Sequence, residues 1–203
     1  MIINALEELG IKGHLTISKL FKDGNEEVVF DDPNIIVSGM GVALAHLFSL
    51  SGSPSILDYQ IDRFQLGVSG NSSLQVVSTN QLSGPLTTKL QYTGSTGNVL
   101  AVSAYSIINN AIISSPKWYG LIPQHNVTKI DDMTVRYTIF IDEQSCNDLI
   151  FNSSDAYLSE IGLFIKNIKY SNIEAPILVA YRSFNKIRKT SDFGLIFRWS
   201  INF

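Results

Sequence analysis

The stretch Phe193-Gly194-Leu195-Ile196-Phe197-Arg198-Trp199-Ser200-Ile201-Asn202-Phe203 places an apolar or aromatic side chain at every odd position. The even positions are polar or small apart from Ile196, so the period is two, that of a strand with one buried face. A chain terminus frays unless something holds it. A closing strand that carries four aromatic rings therefore predicts clamping between other elements, in a compact β domain whose last strand is a structural member.

Working back from it, residues 134–141 repeat the alternation, with Val135, Tyr137, Ile139 and Ile141 on one side and Arg136 and Thr138 on the other. Residues 61–68 set Phe64, Leu66 and Val68 against Arg63, Gln65 and Gly67, and residues 159–165 and 177–184 read as further strands, with Ser171-Asn172 as a turn and Pro176 at a strand start. Residues 13–21 and 27–30 form a hairpin around Asp23-Gly24-Asn25. Pro33 lacks a donor, which ends that strand at Asp31-Asp32. Asn109-Asn110 turns a second hairpin, 104–108 with 111–115. One helix is expected over 39–50, where Met40, Ala43, Leu44, Leu47 and Phe48 share a stripe and Ser38 is the N-cap. Gly39 and Gly41 each weaken its first turn by roughly 1 kcal/mol, which close approach of a neighbouring backbone would explain.

The fold class that follows is all-β, a β-sandwich or distorted barrel of about eight to ten strands with one short helix. The whole chain, 1–203, reads as a single β domain with a polar, loop-rich excursion over about 70–99, the first candidate for a contact arm.

Charged residues make up 16% of the chain, against roughly 25% in ordinary soluble domains. A surface so short of charge points to burial against other subunits, helped by uncharged polar groups. The net charge of −3 argues against a nucleic-acid partner, because phosphate backbones are bound by concentrated Lys and Arg. No run reaches the 18 apolar residues of a membrane helix, and the first residues lack a secretory pattern, so no membrane is expected as a partner. Cys146 is the single cysteine, which precludes an internal disulfide.

No catalytic, cofactor or metal motif emerges. His14, His46 and His125 are scattered, Cys146 follows acidic residues that do nothing to activate a thiol, and Gly39-Met40-Gly41 lacks the rest of a phosphate loop. The pairs Asp31-Asp32, Asp58 with Asp62, and Asp131-Asp132 sit beside turns or strand starts, where carboxylates cap. Two features suit contact. Trp118 and Tyr119, in a loop between Pro116 and Gly120, can serve as a protein hot spot or a sugar-stacking platform. Arg182, Lys186, Arg188 and Lys189 concentrate positive charge in what reads either as a solvated loop or as a docking patch for an acidic partner subunit.

The segments Gly13-His14-Leu15-Thr16-Ile17 and Val28-Val29-Phe30-Asp31-Asp32-Pro33-Asn34-Ile35-Ile36-Val37-Ser38-Gly39-Met40-Gly41 resemble the N-terminal region of structural proteins of tailed bacteriophages, notably those infecting cyanobacteria. Glu160-Ile161-Gly162-Leu163-Phe164, Leu178-Val179-Ala180-Tyr181-Arg182-Ser183-Phe184, Lys186-Ile187-Arg188-Lys189-Thr190 and residues 193–203 resemble the ending of phage tail and baseplate-associated proteins. The resemblance implies a non-enzymatic virion component of the tail, neck or baseplate, without cofactor, assembled in the host cytoplasm as a homo-oligomer and in contact with other virion structural proteins. The alternatives are a host-surface carbohydrate-binding module of a tail fibre and a capsid decoration protein.

Overall fold

The aromatic C-terminal strand is locked between two neighbours. In a computed structural model of the chain, residues 10–49, 59–71, 78–86, 99–108, 111–151, 154–166 and 176–203 are described, over 99–108 and 111–118 as backbone and strand register. The first hairpin is β1 (Lys12–Phe21) and β2 (Glu26–Ile36), followed by helix α1 (Ser38–Phe48) and β3 (Ile61–Gly67). A second hairpin, β4 (Val99–Ile108) and β5 (Ala111–Leu121), leads through a single 3-10 turn to β6 (Val127–Lys129) and β7 (Thr134–Ile141). The short pair β8 (Ile150–Phe151) and β9 (Ser154–Asp155) precedes β10 (Leu158–Ile165), β11 (Ile177–Ile187) and β12 (Phe193–Asn202). The fold is all-β, as the alternations predict, with one α-helix among the described residues.

Ten strands form one antiparallel sheet in the order β4-β5-β3-β10-β11-β2-β1-β12-β7-β6. Its two ends, β4 and β6, are not joined by any described pairing, so the curled sheet stays open. The bend lies in β2. Glu26 to Asn34 pair along β1, whereas Ile35 and Ile36 pair with Tyr181 and Ala180 of β11. One strand thus belongs to two half-sheets, the device by which sheets turn corners. Pro33 does not end β2, contrary to the sequence expectation. It stands where β2 exchanges partners, a place where a missing N–H is tolerated.

Between the half-sheets lies the main core. It joins Leu15 and Ile17 of β1, Ile139 and Ile141 of β7, and Leu195, Phe197, Trp199 and Ile201 of β12 to Leu66 of β3, Ile161 and Leu163 of β10, and Val179 of β11. Burying each of Phe197 and Trp199 stabilises by roughly 1.5–3 kcal/mol. β12 is paired along its length, from Phe21↔Phe193 to Lys12↔Asn202 on one side and from Leu195↔Ile141 to Asn202↔Thr134 on the other.

β3 and β10 depart from simple alternation, because both their faces are covered. Arg63, at 6% exposure, and Gln65, at 4%, are buried like Phe64 and Leu66. A second cluster of Val37, Leu82, Tyr119, Phe164, Leu178 and Tyr181 lies on the far side of these strands. Within the polar stretch 70–99, residues 78–86 lie against the sheet, with Leu82 and Leu86 buried, and residues 72–77 and 87–98 fall outside the described residues. The expected turns at Asn109-Asn110 and Ser171-Asn172 fall outside them too, although the pair Ile108↔Ala111 closes the second hairpin around the first of these.

Helix α1 starts one residue earlier than expected. Val37 occupies the N-cap position with no side-chain cap, and Ser38 is already helical. Met40 and Ala43 face the core, while Phe48, expected on the same stripe, is 82% exposed. Gly39 needs to be glycine: a Cβ there would lie 1.9 Å from the Leu178 carbonyl oxygen of β11. Gly41 would meet nothing within 4 Å. Gly39→Ala should therefore lower the free energy of unfolding by about 1–3 kcal/mol through overpacking, whereas Gly41→Ala should raise it by about 0.5–1 kcal/mol through helix propensity. Urea denaturation of the two variants reads the opposite signs; equal shifts would refute the close approach at Gly39.

Candidate interaction surfaces

The residues singled out from the sequence separate into internal and surface roles. Tyr119 lies on β5, not in a loop, and is 2% exposed, with its ring edge-on to Phe164 at 5.2 Å between centroids. Burial pushes its phenol up to about 12. It is a core residue and cannot form half of an exposed aromatic platform. Trp118, also on β5, is opposite Ala101, and its side chain lies outside what is described.

The basic phrase is a loop only in its last part, since β11 continues through Arg182 and Lys186 to Ile187 and Arg188 and Lys189 lie in the connection to β12. Arg182 forms an ion pair with Asp32 of β2, and its guanidinium lies 5.2 Å from the Phe30 ring centroid. Lys189 is 2% exposed, and its ammonium donates to Asn147 Oδ1 at 2.9 Å and to the Thr190 carbonyl at 2.8 Å. Desolvation draws its pKa below the usual lysine range. Lys189 is thus an internal tether for the 142–148 turn, in which Cys146 and Asp148 adopt positive φ of 60° and 45°. The Cys146 thiol, buried beneath it, is pushed up to about 12. Of the six candidates, only Lys186 and Arg188 are seen to be exposed.

Other charges are spent across strands. On the outer face of β12, β1 and β2, the Arg198 guanidinium grips both carboxylate oxygens of Glu26, with Nη2 at 3.0 Å from Oε2, and Nη1 also donates to Ser18 on the strand between. His14 and Thr16 both contact the Asp31 carboxylate, at 2.9 and 2.6 Å, and Lys19 reaches Glu27 at 3.4 Å. The hydrogen bonds from Arg198 and Ser18 pull the Glu26 pKa from 4.5 down to about 2.

One buried group was not anticipated. Glu160 is fully buried on β10, where its Oε1 accepts from the Gly84 amide at 2.6 Å and its Oε2 from the Ser83 amide at 2.9 Å and the Tyr181 hydroxyl at 2.8 Å. Its strand partner is Gly67, where a Cβ would lie 2.5 Å from Oε1. Next to it, Ser159 Oγ accepts from the Gly70 amide at 2.9 Å. This is a clasp that fastens segment 67–86 to β10; with no atom exposed, the carboxyl does not meet solvent or substrate. Its sequence signal was a lone glutamate inside an apolar run, which only a second layer can explain.

An apolar cleft of about 360 Å³ is set between α1, the start of β3, the end of β10 and β6–β7. Met40, Leu44, Leu47, Val127, Val135 and Phe203 line it, and no charged side chain does. Met133, 57% exposed, accepts from the Phe203 amide at 2.9 Å, and Phe48, next in α1 to the lining Leu47, is 82% exposed. Among the described residues no cluster of His, Cys, Asp or Glu could hold a metal ion. Among the described residues no helix is long and apolar enough to cross a membrane. No family model, curated protein or solved structure matches the chain.

Two measurements check this chemistry. Glu160→Gln sets an amide NH2 among three donors, so it should cost about 1–3 kcal/mol of stability, and Tyr181→Phe, which removes one donor, should cost less; urea midpoints equal to wild type would show that the clasp holds nothing. For Glu26, a folded pKa depressed from 4.5 to about 2 means stabilisation that is complete above pH 4.5 and fades as the pH falls toward 2. Glu26→Gln should flatten the stability curve over that window and leave its slope above pH 6 unchanged.

Proposed function

We propose that this protein is a structural subunit of a tailed-bacteriophage virion, in the tail, neck or baseplate, that works through protein–protein contacts in a homo-oligomer and with other virion proteins. The observation that carries the reading is where polarity has gone. In a chain with only 16% charged residues, Arg182, Lys189, Arg198 and Arg63 are engaged within the fold, while Phe48, Ile150, Val28 and Met133 are all more than half exposed. Exposed apolar surface with so little charge is stabilised when neighbours remove it from water.

The likeness of residues 160–164, 178–190 and 193–203 to tail and baseplate-associated proteins supports the same reading. These segments lie on β10, β11 and β12 and the start of the β11–β12 connection, so the likeness bears chiefly on the scaffold. No catalysis, cofactor, nucleic acid or membrane enters the proposal. A glycan-binding module is less well supported now that Tyr119 is packed on Phe164.

Sedimentation velocity over a range of protein concentrations should show an oligomer, a glycan array should show no sugar preference, and cryo-electron microscopy of the particle should show repeated copies. A chain that stays monomeric and binds no particle protein would sink the proposal.

A further inference from the structure

The β4–β5 hairpin is a ribbon that leaves the sheet. Ten rungs, from Val99↔Gly120 to Ile108↔Ala111, pair the two strands with each other. Among the described residues the pairs joining the ribbon to the sheet are Arg63↔Leu121 and Phe64↔Gly120. Beyond them its place beside β3 is taken by segment 84–86, since the Leu86 amide bonds the Leu66 carbonyl, Gly67 bridges Pro85 and the Val68 amide bonds the Gly84 carbonyl. The ribbon therefore diverges at Gly120 and runs on for about 30 Å at roughly 3.3 Å per residue. An isolated two-stranded ribbon is marginal in water.

Its sequence does not suit water. From 99 to 118 it contains a single charged residue, Lys117, and its far end reads Ile107-Ile108-Asn109-Asn110-Ala111-Ile112-Ile113. Ile107 pairs with Ile112, and Ser106 with Ile113. The uncharged cleft described above lies at the other end of the molecule. β5 is antiparallel to β3, so the ribbon heads past the Gly67 end of β3, whereas the cleft is lined by Gln60 and Ile61 at the opposite end and by Ile165, which pairs with Ile61. A ribbon tip that points away from its own cleft can enter only another molecule's.

We infer that the Ile-rich tip of the β4–β5 ribbon docks in the α1/β7 cleft of a second copy of this chain, head to tail. The match is one of chemistry and position: an uncharged tip whose turn Asn109-Asn110 is flanked by isoleucines, a cleft without a charged side chain, and the two at opposite ends. A contact between different surfaces repeats, giving a ring if the rotation closes and a filament if it does not. This inference rests on the oligomeric reading above and names its interface.

The test uses the full chain with single cysteines, Ile112→Cys at the tip and Leu47→Cys at the cleft; native Cys146 is only 3% exposed and does not compete. Mild oxidation of a mixture of the two variants should give a disulfide-linked dimer that neither gives alone. Cross-linking of Ile112→Cys by itself, or none in the mixture while sedimentation still shows an oligomer, would overturn the tip-to-cleft contact and leave the oligomeric reading standing. A monomer in sedimentation before any substitution would overturn both. Ile112→Asp provides the second arm: with the urea midpoint unchanged, the oligomer's dissociation constant should rise at least tenfold, and an unaltered constant counts against the interface.

Discussion

The row Leu195, Phe197, Trp199 and Ile201 on β12 must be removed from water on one face, and this demand shapes the rest of the sheet. A flat sheet would leave that row exposed. The chain meets it by letting β2 change partners between Asn34 and Ile35, which folds the β3–β10–β11 half over the β1–β12–β7 half and closes the core between them. The helix packs against β11 at one end of the fold. Its approach to the Leu178 carbonyl requires that residue 39 lack a Cβ, so a local weakness in helix propensity is traded for contact with β11.

Folding one half over the other creates a second requirement. β10 comes to be buried at every position, and so its outer face needs a cover. Leu82, Tyr119 and Tyr181 supply the apolar part, and Glu160 supplies the polar part by accepting the amides that segment 83–84 would otherwise leave unsatisfied. A carboxyl in that place is costly to bury without partners. With three donors it fixes where the segment lies, and so where β5 must leave β3. The clasp thereby sets the departure point of the ribbon.

Legibility from sequence followed the number of buried faces. β7 and β12 have one, and their period of two gave boundaries and core residues directly, down to Tyr137, Ile139, Phe197 and Trp199. β3 has two, so Arg63 and Gln65 mimicked a solvent side while being buried under a layer that comes from residues distant in the chain. Pro33 misled because its usual meaning holds for a strand with constant partners. Lys189 and Tyr119 misled for a related reason: their neighbours in sequence are loop-like or polar, but their neighbours in space, Asn147 and Phe164, could be known only from the tertiary pairing. The contact surfaces were the least legible part. An exposed Phe48 at the end of an amphipathic stripe has the same pattern as a core residue.

A polarity runs through the molecule as a consequence. The open curl of the sheet leaves the α1 end with an apolar mouth, while the segment fastened by Glu160 forces the ribbon outward at the Gly67 end. The cleft has no charged side chain and the ribbon only Lys117, in a chain that pairs so many of its other charges internally. Under the contact inferred above, a two-fold dimer satisfies both tips and both clefts only if the two contacts form about the same axis, whereas repetition around a ring satisfies every end with one kind of contact.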